Sequence, residues 1–421
     1  MYSFLNARGA RGAIARVLVA ASVLLLSACS VLPPVTHHYR NLCTGVSPQT
    51  LGKFDKSVPV TLYYVTNRQP SGRSSQEPFY GPDLAKDSQL FAGTIQAAVP
   101  RNEPIGGRRN FDMAHGAFVP TVGVKIERRD ERLPPPAAAP SSSSESATAS
   151  NNSKAPPPPP AASLSEFVDQ INAENPQKKP ILLYLHGFNN TFPFAMKRAA
   201  RFVHDLGGSD HFVPIVFSWP AVGSIESITR DENNTGPSSA PLAELLRLLL
   251  AGDDARTVHM VVHSMGTRIV SQAMLRLSAD RPPMNKLENL VITAGDMDAA
   301  EFAMPEQVSV LTRHVQRTSI YICDHDVPLY GSMHLHGPSP AERRRPRIGQ
   351  AGEHRTVINH PQVETIDATL VELSLENHGY LFENRVVIDD VFMLLRHGLA
   401  APQRNLLIAD DGKARFYLLR R

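Results

Sequence analysis

The chain has 421 residues, of which 42% are hydrophobic and 20% charged, with a formal net charge of +3. That composition supports a large apolar core and excludes a disordered or fibrous chain. So small a charge, without any base-reading motif, excludes nucleic acid as the partner.

At the N-terminus, Arg8, Arg11 and Arg16 precede the apolar run Val17 to Leu26. The run has signal-peptide length and is too short to span a bilayer as a helix. It leads into "LSAC", which resembles the bacterial lipobox. The resemblance implies a signal peptide over 1–28, cleavage before Cys29 and lipidation of Cys29; an ordinary secretory signal cut at a nearby small residue is the alternative. Ser30, in place of an acid, implies the outer membrane over the inner one. The expected location is therefore the bacterial cell envelope, lipid-anchored and facing the periplasm. Of the three cysteines, Cys43 and Cys323 remain. An oxidising compartment permits a disulfide, but Cys323 sits in an apolar stretch and reads as a buried thiol.

Residues 29–56 are Pro-, His- and polar-rich and read as a tether. Strand signals follow at 58–68 ("VPVTLYYVTNR"), 90–100 and 118–129. The segment 133–163 is almost free of large apolar residues and reads as a Pro/Ser/Ala-rich disordered insertion. From 164 the rhythm alternates. Strands are expected at 180–187, 212–220, 258–264, 288–296, 318–326 and 363–370. Helices are expected at 192–207, 240–252, 265–280 and 384–399. Continuous apolar strands alternating with helices predict an α/β fold, a mainly parallel central sheet with helices on both faces, over residues 57–400. A β-hairpin turning at Asp411–Gly412 is expected within 401–421. The polar stretch from Ser224 to Ser239 reads as a lid or substrate loop.

In such sheets the reactive groups collect at the carboxyl ends of the strands. "VVHSMGTRIV" (261–270) places Ser264 after an apolar strand and before a helix, the context of a nucleophile elbow, although Val262 replaces the first glycine of G-x-S-x-G. A nucleophilic serine needs a base and a group that orients the base. The chain order Ser, acid, His is met by Ser264, Asp326 and His378, each at a strand end or in the following loop. Asp296, Asp298 and Asp324 are alternatives for the acid. With 16 histidines in the chain, a loop histidine by itself is weak evidence; Gly379 after His378 suggests a special loop conformation. His263 is expected to point to the opposite side of its strand, and His334 and His336 to lie in a surface loop. The oxyanion needs two backbone N–H donors. Met265, after the nucleophile, supplies one, and Phe188 in "YLHGFNN" (184–190) the other, with His186 fixing that loop. Trp219 reads equally as pocket wall or core.

The stretches "YYVTNR", "FYG", "YLHGFNN", "FSWPAVGS", "VHSMGTRIV", "YICDHDVPL" and "NHGYLF" together resemble a bacterial α/β-hydrolase family once grouped as a domain of unknown function, with esterase/lipase-like members. The resemblance spans roughly residues 58–400. It implies the α/β-hydrolase fold and places the acid at Asp326 and the base at His378; Val327 and Asn377 depart from the family pattern without removing a catalytic group. The implied chemistry is cleavage of a lipid or small acyl ester through an acyl-enzyme, with neither metal nor organic cofactor. An amidase or acyltransferase using the same triad, or a non-catalytic envelope lipoprotein, are the alternatives. The oligomeric state is not legible.

Overall fold

The computed structural model describes residues 57–72, 79–100, 163–252, 255–279, 285–336, 345–371, 378–412 and 414–420, with three short strands at 110–112, 117–119 and 125–131. The expectations for 1–56, including Cys29 and Cys43, and for 133–162 fall outside the described residues.

The strands are β1 (Ser57–Thr66), β2 (Arg68–Pro70), β3 (Tyr80–Leu84), β4 (Phe91–Pro100), β5 (Asn110–Asp112), β6 (Ala117–Val119), β7 (Lys125–Glu131), β8 (Ile181–Leu185), β9 (Val213–Ser218), β10 (Val258–His263), β11 (Leu287–Thr293), β12 (Val315–Ile322), β13 (Val363–Asp367), β14 (Leu406–Asp410) and β15 (Arg415–Leu419). The α-helices are α1 (Leu164–Glu174), α2 (Phe192–Asp205), α3 (Ile228–Leu249), α4 (Gly266–Ala279), α5 (Ala299–Phe302), α6 (Pro305–His314), α7 (Val327–Leu335), α8 (Tyr380–Glu383) and α9 (Arg385–His397).

Eleven strands form one sheet in the order β14-β15-β13-β12-β11-β10-β8-β9-β1-β4-β7. The eight strands from β15 to β1 pair in parallel. Antiparallel pairing is confined to the edges, where β4, β7 and β14 add on. Every residue of β8, β9 and β10 is buried, because both faces are covered. Side chains alternate between two cores. On β10, Met260 and Val262 face a core shared with Leu245 of α3 and Ile269 of α4. Val261 faces the other, shared with Phe202 of α2 and Val387 of α9. This is the expected α/β-hydrolase architecture, with helices on both faces.

Three details differ from the sequence reading. The stretch read as one strand at 118–129 is two, β6 and β7. The C-terminal hairpin is the edge of the central sheet, because β15 pairs in parallel with β13. Most of the polar stretch at 224–239 is helix: α3 runs from Ile228 through Pro237 and Pro241 to Leu249. Its first half has no apolar period because its inward face is polar. Asn234 Nδ2 donates to Pro220 O at 2.8 Å, and Ser238 Oγ accepts from Asn67 Nδ2 at 3.0 Å.

Candidate active site

Ser264 lies between β10 and α4 with φ +53°. A non-glycine residue in this left-handed region costs about 1–3 kcal/mol and persists only where its surroundings enforce it. Here they do. Ser264 N donates to Thr293 O at 3.0 Å, and its carbonyl accepts from Thr267 N at 3.0 Å and Asp296 N at 3.1 Å. The turn is also crowded. A Cβ on Gly187 would stand 2.7 Å from Ser264 Cβ. One on Gly266 would stand 2.9 Å from His186 O and 3.2 Å from Val262 Cγ1. Val262 fits because the close approach of helix and strand is made at Gly266.

His378, just before α8, spans the gap between Ser264 and Asp326. Its Nε2 is 3.1 Å from Ser264 Oγ, and its Nδ1 is 2.9 Å from each Asp326 carboxylate oxygen. Asp326 is fully buried and caps the N-terminus of α7, accepting from Leu329 N at 2.9 Å. Burial pushes its carboxyl up, against the opposing pull of His378 and the Leu329 N–H. The structure therefore brings Ser264, Asp326 and His378 together. The other acids serve elsewhere. Asp296 takes Ser332 Oγ at 2.6 Å and Arg268 Nη2 at 3.1 Å. Asp298 caps α5, and Asp324 accepts from His325 N.

Two buried side chains hold the His378 segment, and neither was singled out for this from sequence. Tyr380 OH donates to Tyr321 O at 2.7 Å and accepts from Ala294 N at 2.6 Å, tying the segment to β11 and β12. His263 does not face away as expected. Its Nε2 donates to His378 O at 3.1 Å, and the two rings meet edge to face at 4.9 Å. Burial and the neighbouring His378 hold the His263 imidazole well below the usual histidine range, so it stays neutral. Gly379 has ordinary backbone (φ −89°), contrary to expectation; a Cβ there would meet Glu383 Oε1.

The 186–191 loop joins β8 to α2 on the other side of Ser264. His186 is completely buried and stacks on Trp219, whose Nε1 donates to His186 O at 2.8 Å. Trp219 is therefore core. Arg68 Nη2 lies 3.4 Å from His186 Nε2. A guanidinium only donates, so Nε2 accepts and the ring proton sits on Nδ1, which donates to Gly187 O at 2.9 Å. Burial and Arg68 hold this imidazole well below its usual range. His186 braces the loop and is no base. Phe188 follows Gly187 at the elbow, half-buried against the core, and Met265 opens the turn into α4.

Towards α7, His334 lies in the helix rather than in a loop, and His336 follows as its C-cap. His336 Nε2 meets Glu232 Oε1 at 2.5 Å, and Glu232 also accepts from Arg268. Among the described residues no group of His, Cys, Asp and Glu could hold a metal ion, and no helix is long and apolar enough to cross a membrane. Cys323 is buried, with Sγ 3.3 Å from Asp324 O.

Comparison with protein families matches residues 161–392 to the family described as alpha/beta hydrolase of unknown function (DUF900). The match covers more than half of the chain, which therefore belongs to this family. No curated protein matches the chain.

Proposed function

We propose that this member of the α/β-hydrolase family of unknown function is a serine hydrolase acting on carboxylic esters, lipid or small acyl. Ser264 Oγ attacks the ester carbonyl while His378 Nε2 takes its proton. Asp326 keeps the other imidazole proton on Nδ1 and stabilises the imidazolium that forms. The Phe188 and Met265 N–H groups hold the oxyanion. The intermediate collapses as His378 returns the proton to the departing alcohol, leaving an acyl-enzyme on Ser264. Water, deprotonated by His378, attacks that acyl group and releases the acid and free serine.

The observation that carries this reading is the hydrogen-bonded line Ser264–His378–Asp326, anchored on an elbow whose strained φ is enforced by its neighbours. A panel of acyl esters of graded chain length, run beside amide and peptide substrates, tests it. Ester turnover in the wild type that Ser264→Ala lacks supports the reading; indifference to every ester, with amide cleavage intact, would replace it by an amidase. We also propose a lipid anchor at Cys29 that holds the enzyme at the envelope membrane. Cys29→Ala should release the protein from the membrane fraction and change its mature mass. Unchanged mass and fractionation would remove the anchor from the account.

A further inference from the structure

The "TNR" stretch that runs from the end of β1 into β2 reaches the oxyanion loop. Thr66 Oγ1 donates to Ser218 O, and Asn67 Nδ2 donates to Ser238 Oγ on α3. Arg68 is only 1% exposed. Its Nε donates to Ser218 Oγ (3.0 Å), Nη1 to Ala221 O (2.9 Å) and Gly81 O (3.3 Å), and Nη2 to Asn190 O (2.6 Å) as well as to His186 Nε2. From the opposite side comes Asp231, fully buried on α3. Its Oδ2 accepts from Asn189 N at 3.2 Å and its Oδ1 from Val222 N at 2.9 Å.

A cation thus holds one loop carbonyl and an anion holds a loop N–H one residue earlier. Between them Asn190 Nδ2 donates to Phe188 O (2.6 Å) and to Gly187 O (3.3 Å). The Gly187 carbonyl, which also accepts from His186 Nδ1, therefore points into this buried cluster. A trans peptide places its N–H opposite its C=O, so the Phe188 N–H is directed away from the cluster. Asn189, held with φ +59°, is the residue where the loop turns. We propose that Arg68 and Asp231 are positioning residues, which clamp the peptides after Phe188 from two sides and so fix the aim of the Phe188 N–H at the oxyanion.

Both charges are held there against solvation. Burial brings Arg68 down to about 9 and Asp231 up to about 6, each partly offset by the other's charge. A buried charge pair is a weak source of stability beside apolar packing, which leaves geometry as its contribution. This inference rests on the hydrolase reading of Ser264.

The test uses Arg68→Met, Asp231→Asn, the double variant and Arg68→Lys in the mature chain, each checked by near-UV circular dichroism. Three quantities are measured: kcat and KM on an activated ester, and affinity for the matching trifluoromethyl ketone, whose serine adduct carries the oxyanion. Each single change should lower kcat about 10- to 100-fold with KM within about two-fold. Ketone affinity should fall in parallel, Arg68→Lys should lie between wild type and Arg68→Met, and the double variant should lose less than the product of the singles. If Arg68→Met does not fold, Asp231→Asn carries the test, since it keeps the side-chain shape and one of the two acceptors. Folded variants with wild-type kcat and ketone affinity overturn the proposal while leaving the hydrolase reading in place. A wild type that turns over no ester and binds no ketone overturns both.

Discussion

At the carboxyl ends of β8, β10, β11 and β12 stand Asn189, Ser264, Ala294 and His325, four non-glycine residues with φ between +49° and +59°. At the amino ends of the parallel strands Lys178 is the one non-glycine residue with positive φ among the described residues. Two cavities lie at the amino ends. One cavity of about 490 Å³ lies beside Ile181, where β8 begins, and Arg256, just before β10. Another of about 470 Å³ lies beside Thr312, Ile358 and His360, before β12 and β13. Neither is lined by Ser264, Asp326 or His378. Among the described residues, strained non-glycine backbone gathers at the carboxyl ends of the parallel strands, beside Ser264.

The largest test of that contrast is Ser264→Ala, which should cut ester hydrolysis by roughly 10⁶-fold with the fold intact. Asp326→Asn should cost about 10⁴-fold in kcat, because the amide cannot hold the same imidazole tautomer. Asp296→Asn, whose backbone N–H meets Ser264 O but whose carboxylate is turned to Arg268 and Ser332, should cost less than ten-fold. Equal losses for the two would mean that the acid is not assigned to one side chain. Two glycines then compare the ends directly. Gly187→Ala puts a methyl 2.7 Å from Ser264 Cβ and should lower kcat about 100-fold by displacing the loop. Gly252, at the amino-end cavity, has φ +86° with nothing within 4 Å of its Cβ position. Gly252→Ala should cost about 1–2 kcal/mol in unfolding free energy and leave kcat unchanged.

The last expected effect is a pH slope at the amino end, which touches stability and leaves catalysis alone. His259, the second residue of β10, accepts from Asn289 Nδ2 at 3.1 Å, and burial lowers it to about 4. Its folded-state pKa lies below the unfolded value near 6.5, so its contribution is present above pH 6.5 and lost as pH falls towards 4. Chemical denaturation across that window should show wild type losing at most about 3 kcal/mol more than His259→Gln. Parallel slopes would mean that the buried imidazole charges without cost.

The sheet was legible in the sequence because its central strands are short, continuous apolar runs that no helix would use. Ser264, Asp326 and His378 were legible through chain order and strand ends, and the Val262 objection resolved once Gly266 proved to carry the close approach. The first half of α3 was not legible, since its inward face holds Asp231, Asn234 and Ser238 where apolar spacing was sought. Nor were Tyr380 and His263 as supports of His378, or Arg68 and Asp231 beneath the 186–191 loop. Each makes at least one contact with a residue 42 or more positions away, and local spacing carries no trace of such contacts. The signal that was present is the motif itself: Arg68 ends "YYVTNR" and Tyr380 sits in "NHGYLF", both of which the resemblance had already set apart.

The central claim is that Ser264 is a nucleophile activated by His378. Intact-mass and peptide-mapping measurements after treatment of the purified protein with a fluorophosphonate probe test it most directly. The account predicts a single adduct on Ser264 in the wild type, strongly slowed in His378→Ala and absent in Ser264→Ala. A wild type that does not label, or that labels equally after Ser264→Ala, would contradict it.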